Sequence, residues 1–269
     1  MDYSGFRRSE LRGWSERASR YGDVTARATT QSVPALLSAV RIAPDMELLD
    51  LGCGPGYATG AANALGARAV GIDFSAEMVE VASRRFPDAA FAVGDAEAPD
   101  FPDARFDAVV GNMVLFHLTE PDAAMREARR VLRAGGRFAF SHWAGPSESD
   151  LYGTMMPILR EHADASRIEP APDAFALSDR TATIARMRAA GFADVEVRDV
   201  PNVLAAEGGS FFDIFMAFGV RVPLIVASQT EAVRARIRDR VDAAFERFRR
   251  GEGYRVAIPS LVYSGRHPG

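Results

Sequence analysis

The sequence predicts an α/β protein, a Rossmann-like doubly wound sheet carrying helical insertions. Two runs of residues and the overall composition point there. Between Glu47 and Asp73 a short apolar run, ELLDLG, enters the glycine-rich turn GCGPG, continues into the alanine-rich YATGAANALG, and ends in a second short apolar run, RAVGID. That order reads as strand, tight turn, helix, strand. Further on, the run GRFAFSH is apolar enough for a strand buried on both faces, as a parallel sheet requires. Finally, 269 residues with 48% apolar side chains can bury a full core, and neither repeats nor a clear linker divide the chain. We therefore expect one domain over residues 1–269, comprising a helical segment (1–44), a core (45–143), helical lid insertions (144–178 and 205–252) and edge strands (192–200 and 255–265).

Ahead of the core, ELRGWSERASRYGDVTARATTQSVPALLSAV reads as two helices. In the glycine turn, Gly52, Gly54 and Gly56 allow a sharp reversal and a close ligand approach that any Cβ would obstruct. Asp73 ends the second strand roughly 20 residues beyond the first glycine, the place of a ribose-binding acid. Together these define a nucleoside site. The dinucleotide fingerprint puts its third glycine at position 57, but Tyr57 stands there and the pattern is G-x-G-x-G. This leans away from a nicotinamide enzyme without removing it.

Thr119, Glu120 and Pro121 supply an N-cap, an acid and an early proline for a helix running to about Ala134, with Gly135 as its stop. FADVEVRDV and RVAIPSLVYSG are the strands expected at the far edge. The first insertion opens with ESDLYGTMMPILREHAD, a helix interrupted by Gly153 and Pro157. The second contains the aromatic GGSFFDIFMAFGVRVPLIV and the amphipathic SQTEAVRARIRDRVDAAFERFRRG. Ligands of open α/β sheets sit beyond the carboxyl ends of the strands. The insertions should therefore form a substrate pocket, with Met155, Met156, Phe211 and Phe215 as its apolar surface.

Net charge is −4, and the basic residues are all arginine, dispersed along the chain. Nothing resembles a track for phosphates, which disfavours a nucleic-acid partner. The single cysteine, Cys53, cannot form an internal disulfide. No leader and no membrane span is expected, and the reading is a cytoplasmic protein of open oligomeric state.

From Leu48 to Trp143 the chain resembles class I S-adenosylmethionine-dependent methyltransferases, especially the ubiquinone, menaquinone and natural-product branch. GCGPG, VGIDFSAEMVEVA, FAVGDAEAPDFPDARFDAVV, GNMVLFHL and RRVLRAGGRFAFSHW occur in the family's order, with Ala134 where proline is common. The resemblance implies a sheet of order 3-2-1-4-5-7-6 with the last strand antiparallel. It also implies S-adenosyl-L-methionine as cofactor, held around the loop by Asp50, Gly52, Cys53, Gly54 and Gly56 and at the ribose by Asp73. Phe74, Met78, Asp95 and Ala96 would surround the adenine, Asn112 and Met113 the sulfonium, and Tyr21 the methionine end with Trp14 behind it.

Methyl transfer from a sulfonium needs alignment and exclusion of water rather than a metal, and no metal-ligand spacing appears. A hydroxyl or acidic-carbon acceptor would also need a base. His142 is the first choice and His117 the second, since both follow strands whose carboxyl ends face the cleft. The expected function is methyl transfer to a small, partly apolar acceptor such as a quinone precursor or secondary metabolite. Two alternatives stay open: non-methylating chemistry such as cyclisation on the same cofactor site, and a nicotinamide-dependent reductase.

Overall fold

A computed structural model describes residues 3–269. The chain begins with three helices, α1 (Ser4–Arg17), α2 (Thr25–Thr29) and α3 (Val33–Ala39). The core alternates β1 (Glu47–Leu51), α4 (Tyr57–Ala64), β2 (Arg68–Asp73), α5 (Ala76–Arg85), β3 (Ala90–Val93), β4 (Phe106–Asn112), α6 (Pro121–Val131) and β5 (Leu132–Trp143). There follow α7 (Asp150–His162), α8 (Arg180–Ala189), β6 (Ala193–Val200), β7 (Val203–Glu207), α9 (Phe211–Met216), α10 (Arg221–Ala227) and α11 (Glu231–Phe245). Three strands close the chain: β8 (Arg249–Arg250), β9 (Gly253–Ala257) and β10 (Ser260–Arg266).

The main sheet has the order β3-β2-β1-β4-β5-β10-β6, with β10 antiparallel to both neighbours. This is the expected topology. Leu49, Leu51, Val109 and Phe138 pack on one face with α6 and α8, while Leu48, Ala108, Val110 and Ala139 pack on the other with α3 and α4. Both faces are covered, which is why consecutive residues of β1, β4 and the second half of β5 are buried rather than alternating with exposed ones. Helix entries follow local chemistry: the Ser75 hydroxyl accepts from Met78 N–H at 3.2 Å, and Pro121 occupies the first turn of α6.

Five features differ from the sequence expectation. The segment ahead of the core, expected as two helices, forms three. Helix α6 stops at Val131, because Leu132 already pairs with Phe106 and the RAGG segment leads into β5. Helix α7 runs unbroken through Gly153 and Pro157, since its buried stripe of Leu151, Met155 and Leu159 packs against Ile237, Val241 and Phe245 of α11. Tertiary burial outweighs the two weak helix formers. The expected edge strand 255–265 is two strands, divided at Ile258 and Pro259. Its first half, β9, pairs with β7 and β8 in a separate antiparallel sheet, so the insertion at 205–252 is bounded by strands rather than purely helical.

Candidate functional site

The turn after β1 sits at the carboxyl end of the sheet. Gly52 (φ +61°) and Gly54 (φ +51°) both adopt left-handed backbone, for different reasons. A Cβ on Gly52 would lie 2.2 Å from Val114 Cγ2, so packing excludes it. A Cβ on Gly54 would meet nothing within 4 Å, because it would project into an open cleft. Gly54 N–H donates to Asp73 Oδ2 at 2.9 Å, and Ser75 N–H donates to Asp73 Oδ1 at 2.9 Å. Asp73 is thereby fixed on the cleft wall between the ends of β1 and β2, where burial pushes its carboxyl up to about 6.

Asp50, Cys53 and Gly56 lie behind the loop rather than on the cleft wall. Asp50 is completely buried and accepts from Thr59 N–H at 3.0 Å and Thr59 Oγ1 at 2.7 Å, tying β1 to α4. Its Oδ1 has no partner among the described residues. Burial pushes the Asp50 carboxyl up to about 7 and raises the Cys53 thiol. A carboxyl whose native pKa is raised binds its proton more tightly folded than unfolded, so its contribution to stability is present at low pH. That contribution is lost as pH climbs from the ordinary carboxylate range toward about 7. Asp50→Asn keeps an acceptor for Thr59 and removes the titration. We expect it to be about 1–4 kcal/mol more stable than wild type at pH 8 and no more stable at pH 4. Urea unfolding at the two pH values checks this; an equal difference at both contradicts it.

Phe74, Met78, Asp95, Ala96, Asn112, Met113 and Tyr21 all reach the same cleft. Asp95 is paired with Arg7 of α1 at 2.6 Å, and Arg7 also reaches Glu97 at 2.7 Å. Ser141 Oγ accepts from Met113 N–H at 2.9 Å and donates to Asn112 Oδ1 at 2.7 Å, which locks the end of β4 with Met113 at φ +57°. Tyr21 bonds Thr29 Oγ1 at 3.2 Å with Trp14 packed beside it at 5.7 Å between ring centres, and burial pushes its hydroxyl up to about 12.

The two histidines separate. His117 lines the cleft, and its Nδ1 lies 2.8 Å from Glu10 Oε2. His142 is 1% exposed and absent from the cleft wall; its Nδ1 lies 2.6 Å from the Trp143 carbonyl. Burial lowers its pKa to about 4, so it is neutral at physiological pH. The ring of Phe116, on the cleft wall, contacts both histidines, at 4.2 Å to His117 and 5.1 Å to His142. Alternation along β5 turns the His142 side chain into the protein while Trp143 takes the cleft position, so of the two candidate bases it is His117 that lines the cleft.

Beyond His117 the wall becomes apolar, with Trp143, Met156, Phe215, Phe218 and Val222. Met156 and Phe215 line the cleft as expected, whereas Met155 and Phe211 are core residues, Phe211 stacking on Phe245 at 3.9 Å. Sequence reasoning missed Phe6, Arg7, Glu10 and Arg221. The signal for Glu10 was present: it falls on the same helical face as Phe6, Gly13 and Trp14, a carboxylate in the middle of a buried stripe.

An open α/β sheet whose first turn and second strand frame one cleft defines a protein built around a nucleoside cofactor. A methyltransferase-domain profile matches residues 49–140. Demethylmenaquinone methyltransferase of Mycolicibacterium gilvum is 32% identical over 187 residues, covering 64% of this chain and 79% of that one. An uncharacterized 37.1 kDa protein in transposon Tn4556 of Streptomyces fradiae is 42% identical over 108 residues, 38% of this chain but only 31% of its own length. The YcgJ structure from Bacillus subtilis superposes with a TM-score of 0.58 at 21% identity, covering 89% of this chain and 99% of that one. The chain belongs to the class I S-adenosylmethionine-dependent methyltransferases. Among the described residues, no helix is long and apolar enough to cross a membrane.

Proposed function

We propose that this enzyme transfers the methyl group of S-adenosyl-L-methionine to a small, partly apolar acceptor carrying an aromatic hydroxyl. The observation that carries this reading is the continuity of one cleft from Gly54 and Asp73, past His117, into the apolar wall of Trp143, Met156 and Phe218. The residues fit the cofactor: Gly54 leaves open the space a Cβ would fill, and Asp73 presents a carboxylate beside it. In this reading Asp73 takes the ribose hydroxyls, while Gly52, Gly54 and Gly56 shape the loop with Asp50 and Cys53 supporting it from behind. Phe74, Met78, Ala96 and Asp95 surround the adenine. Asn112 and Met113 lie near the sulfonium, and Tyr21 closes the methionine end.

When bound, the cofactor supplies a methyl group already activated for in-line displacement. The chain's own residues align the acceptor, exclude water and take its proton. Phe215 and Phe218, from the second insertion, and Met156, from the first, give the chamber its apolar character, supporting a single domain whose insertions roof the site. The likeness to demethylmenaquinone methyltransferase makes a naphthoquinol the first acceptor to try.

Calorimetry with S-adenosylmethionine, S-adenosylhomocysteine and NADH tests the cofactor, and S-adenosylhomocysteine formation with a panel of naphthoquinols and phenols tests the transfer. Binding of the first two ligands but not NADH, with turnover on a hydroxylated aromatic, is the expected result. NADH binding instead would overturn it, as would cofactor conversion without a methylated product.

A further inference from the structure

We propose that Glu10 is a positioning residue that makes His117 Nε2 the proton acceptor for the substrate hydroxyl, so that the base is assembled only when α1 docks over the cleft. This rests on the methyl-transfer reading above. Glu10 is fully buried on α1, yet it lines the cleft. One oxygen, Oε2, lies 2.8 Å from His117 Nδ1; the other, Oε1, is buried with no partner among the described residues. Taking a carboxylate out of water is costly, and leaving one of its oxygens unsatisfied adds to that cost. A leucine at this position would dock the helix at lower cost. A carboxylate here is explained by what it does to the imidazole.

The ring is held from several sides. Trp14, one turn after Glu10, meets it edge-on at 5.1 Å, and Phe116 packs at 4.2 Å. With the carboxylate accepting from Nδ1–H, the neutral ring keeps its lone pair on Nε2, at the opposite edge. The substrate O–H proton passes to Nε2 while its bonding pair stays on oxygen. That oxygen forms the new bond to the methyl carbon as the carbon–sulfur pair returns to sulfur, leaving methyl ether, S-adenosylhomocysteine and imidazolium. Glu10 then faces the positive ring. One turn before Glu10 on the same helix, Arg7 bridges Asp95 and Glu97, so the first half of α1 is tied both to the expected adenine edge and to the base. Undocking α1 would separate Glu10 from His117 and let the proton leave to water.

Nitrogen-15 NMR of the histidine side chains, with His117 assigned by its loss in His117→Gln, reads the tautomer without any acceptor. Wild type should show the Nδ1–H tautomer at His117. Glu10→Gln, which is close to isosteric and whose amide can donate as well as accept, should shift it toward Nε2–H. Turnover on a hydroxylated aromatic should fall about 10–100-fold in Glu10→Gln with cofactor affinity within about 2-fold of wild type. The double variant with His117→Gln should lose no more than His117→Gln alone. An unchanged tautomer, unchanged turnover or additive losses would each overturn the role of Glu10. Failure of the wild-type protein to bind S-adenosylmethionine would instead overturn the methyl-transfer reading.

Discussion

Asp73→Ala is expected to weaken S-adenosylmethionine binding by about 2 kcal/mol or more, roughly a 30-fold rise in Kd. Two effects combine. The ribose would lose charge-assisted hydrogen bonds, and the loop would lose its anchor, because Asp73 accepts from both Gly54 N–H and Ser75 N–H. Asp73→Asn should fall between, since one oxygen can replace part of this set but the charge is gone. Isothermal titration calorimetry on folded variants checks both. An Asp73→Ala variant within about 3-fold of wild type would mean that the cofactor lies elsewhere in the cleft.

His117→Ala should lower turnover on a hydroxylated acceptor by about 100-fold with little change in cofactor affinity, since the proposed base touches only the acceptor. His142→Ala should change turnover by less than about 3-fold, because His142 is buried behind the cleft wall. Its cost should appear instead in stability, through the cavity left beside Phe116. Single-turnover assays with thermal unfolding on both variants separate these outcomes. A large loss in His142→Ala with native stability and an active His117→Ala would restore His142 as the base. Equal, native turnover in both would leave alignment alone to account for the rate.

Much of the core was legible along the chain because its signals are local. The GCGPG turn needs left-handed backbone at successive glycines, Asp73 must end the strand beside it, and β1, β4 and β5 are rich in apolar residues without strict alternation because helices cover both faces. Boundaries were less legible where a partner distant in sequence decided them. Leu132 left the helical pattern to pair with Phe106, and α7 kept its helix through Gly153 and Pro157 because α11 buries its stripe.

The site divides the same way. Gly52, Gly54 and Asp73 could be located from spacing, since neighbouring strands of one βαβ unit bring them together whatever the rest of the chain does. His117 and His142 looked equivalent in sequence, each following a strand end. Only the packed structure separates them, turning one toward the cleft and the other behind Phe116. The same holds for Glu10, 107 residues from His117 along the chain: no local pattern links them, and their hydrogen bond exists because α1 folds back over the carboxyl edge of the sheet. Local backbone requirements are written in adjacent residues, whereas the direction a side chain faces is settled by which distant elements compete for the same space.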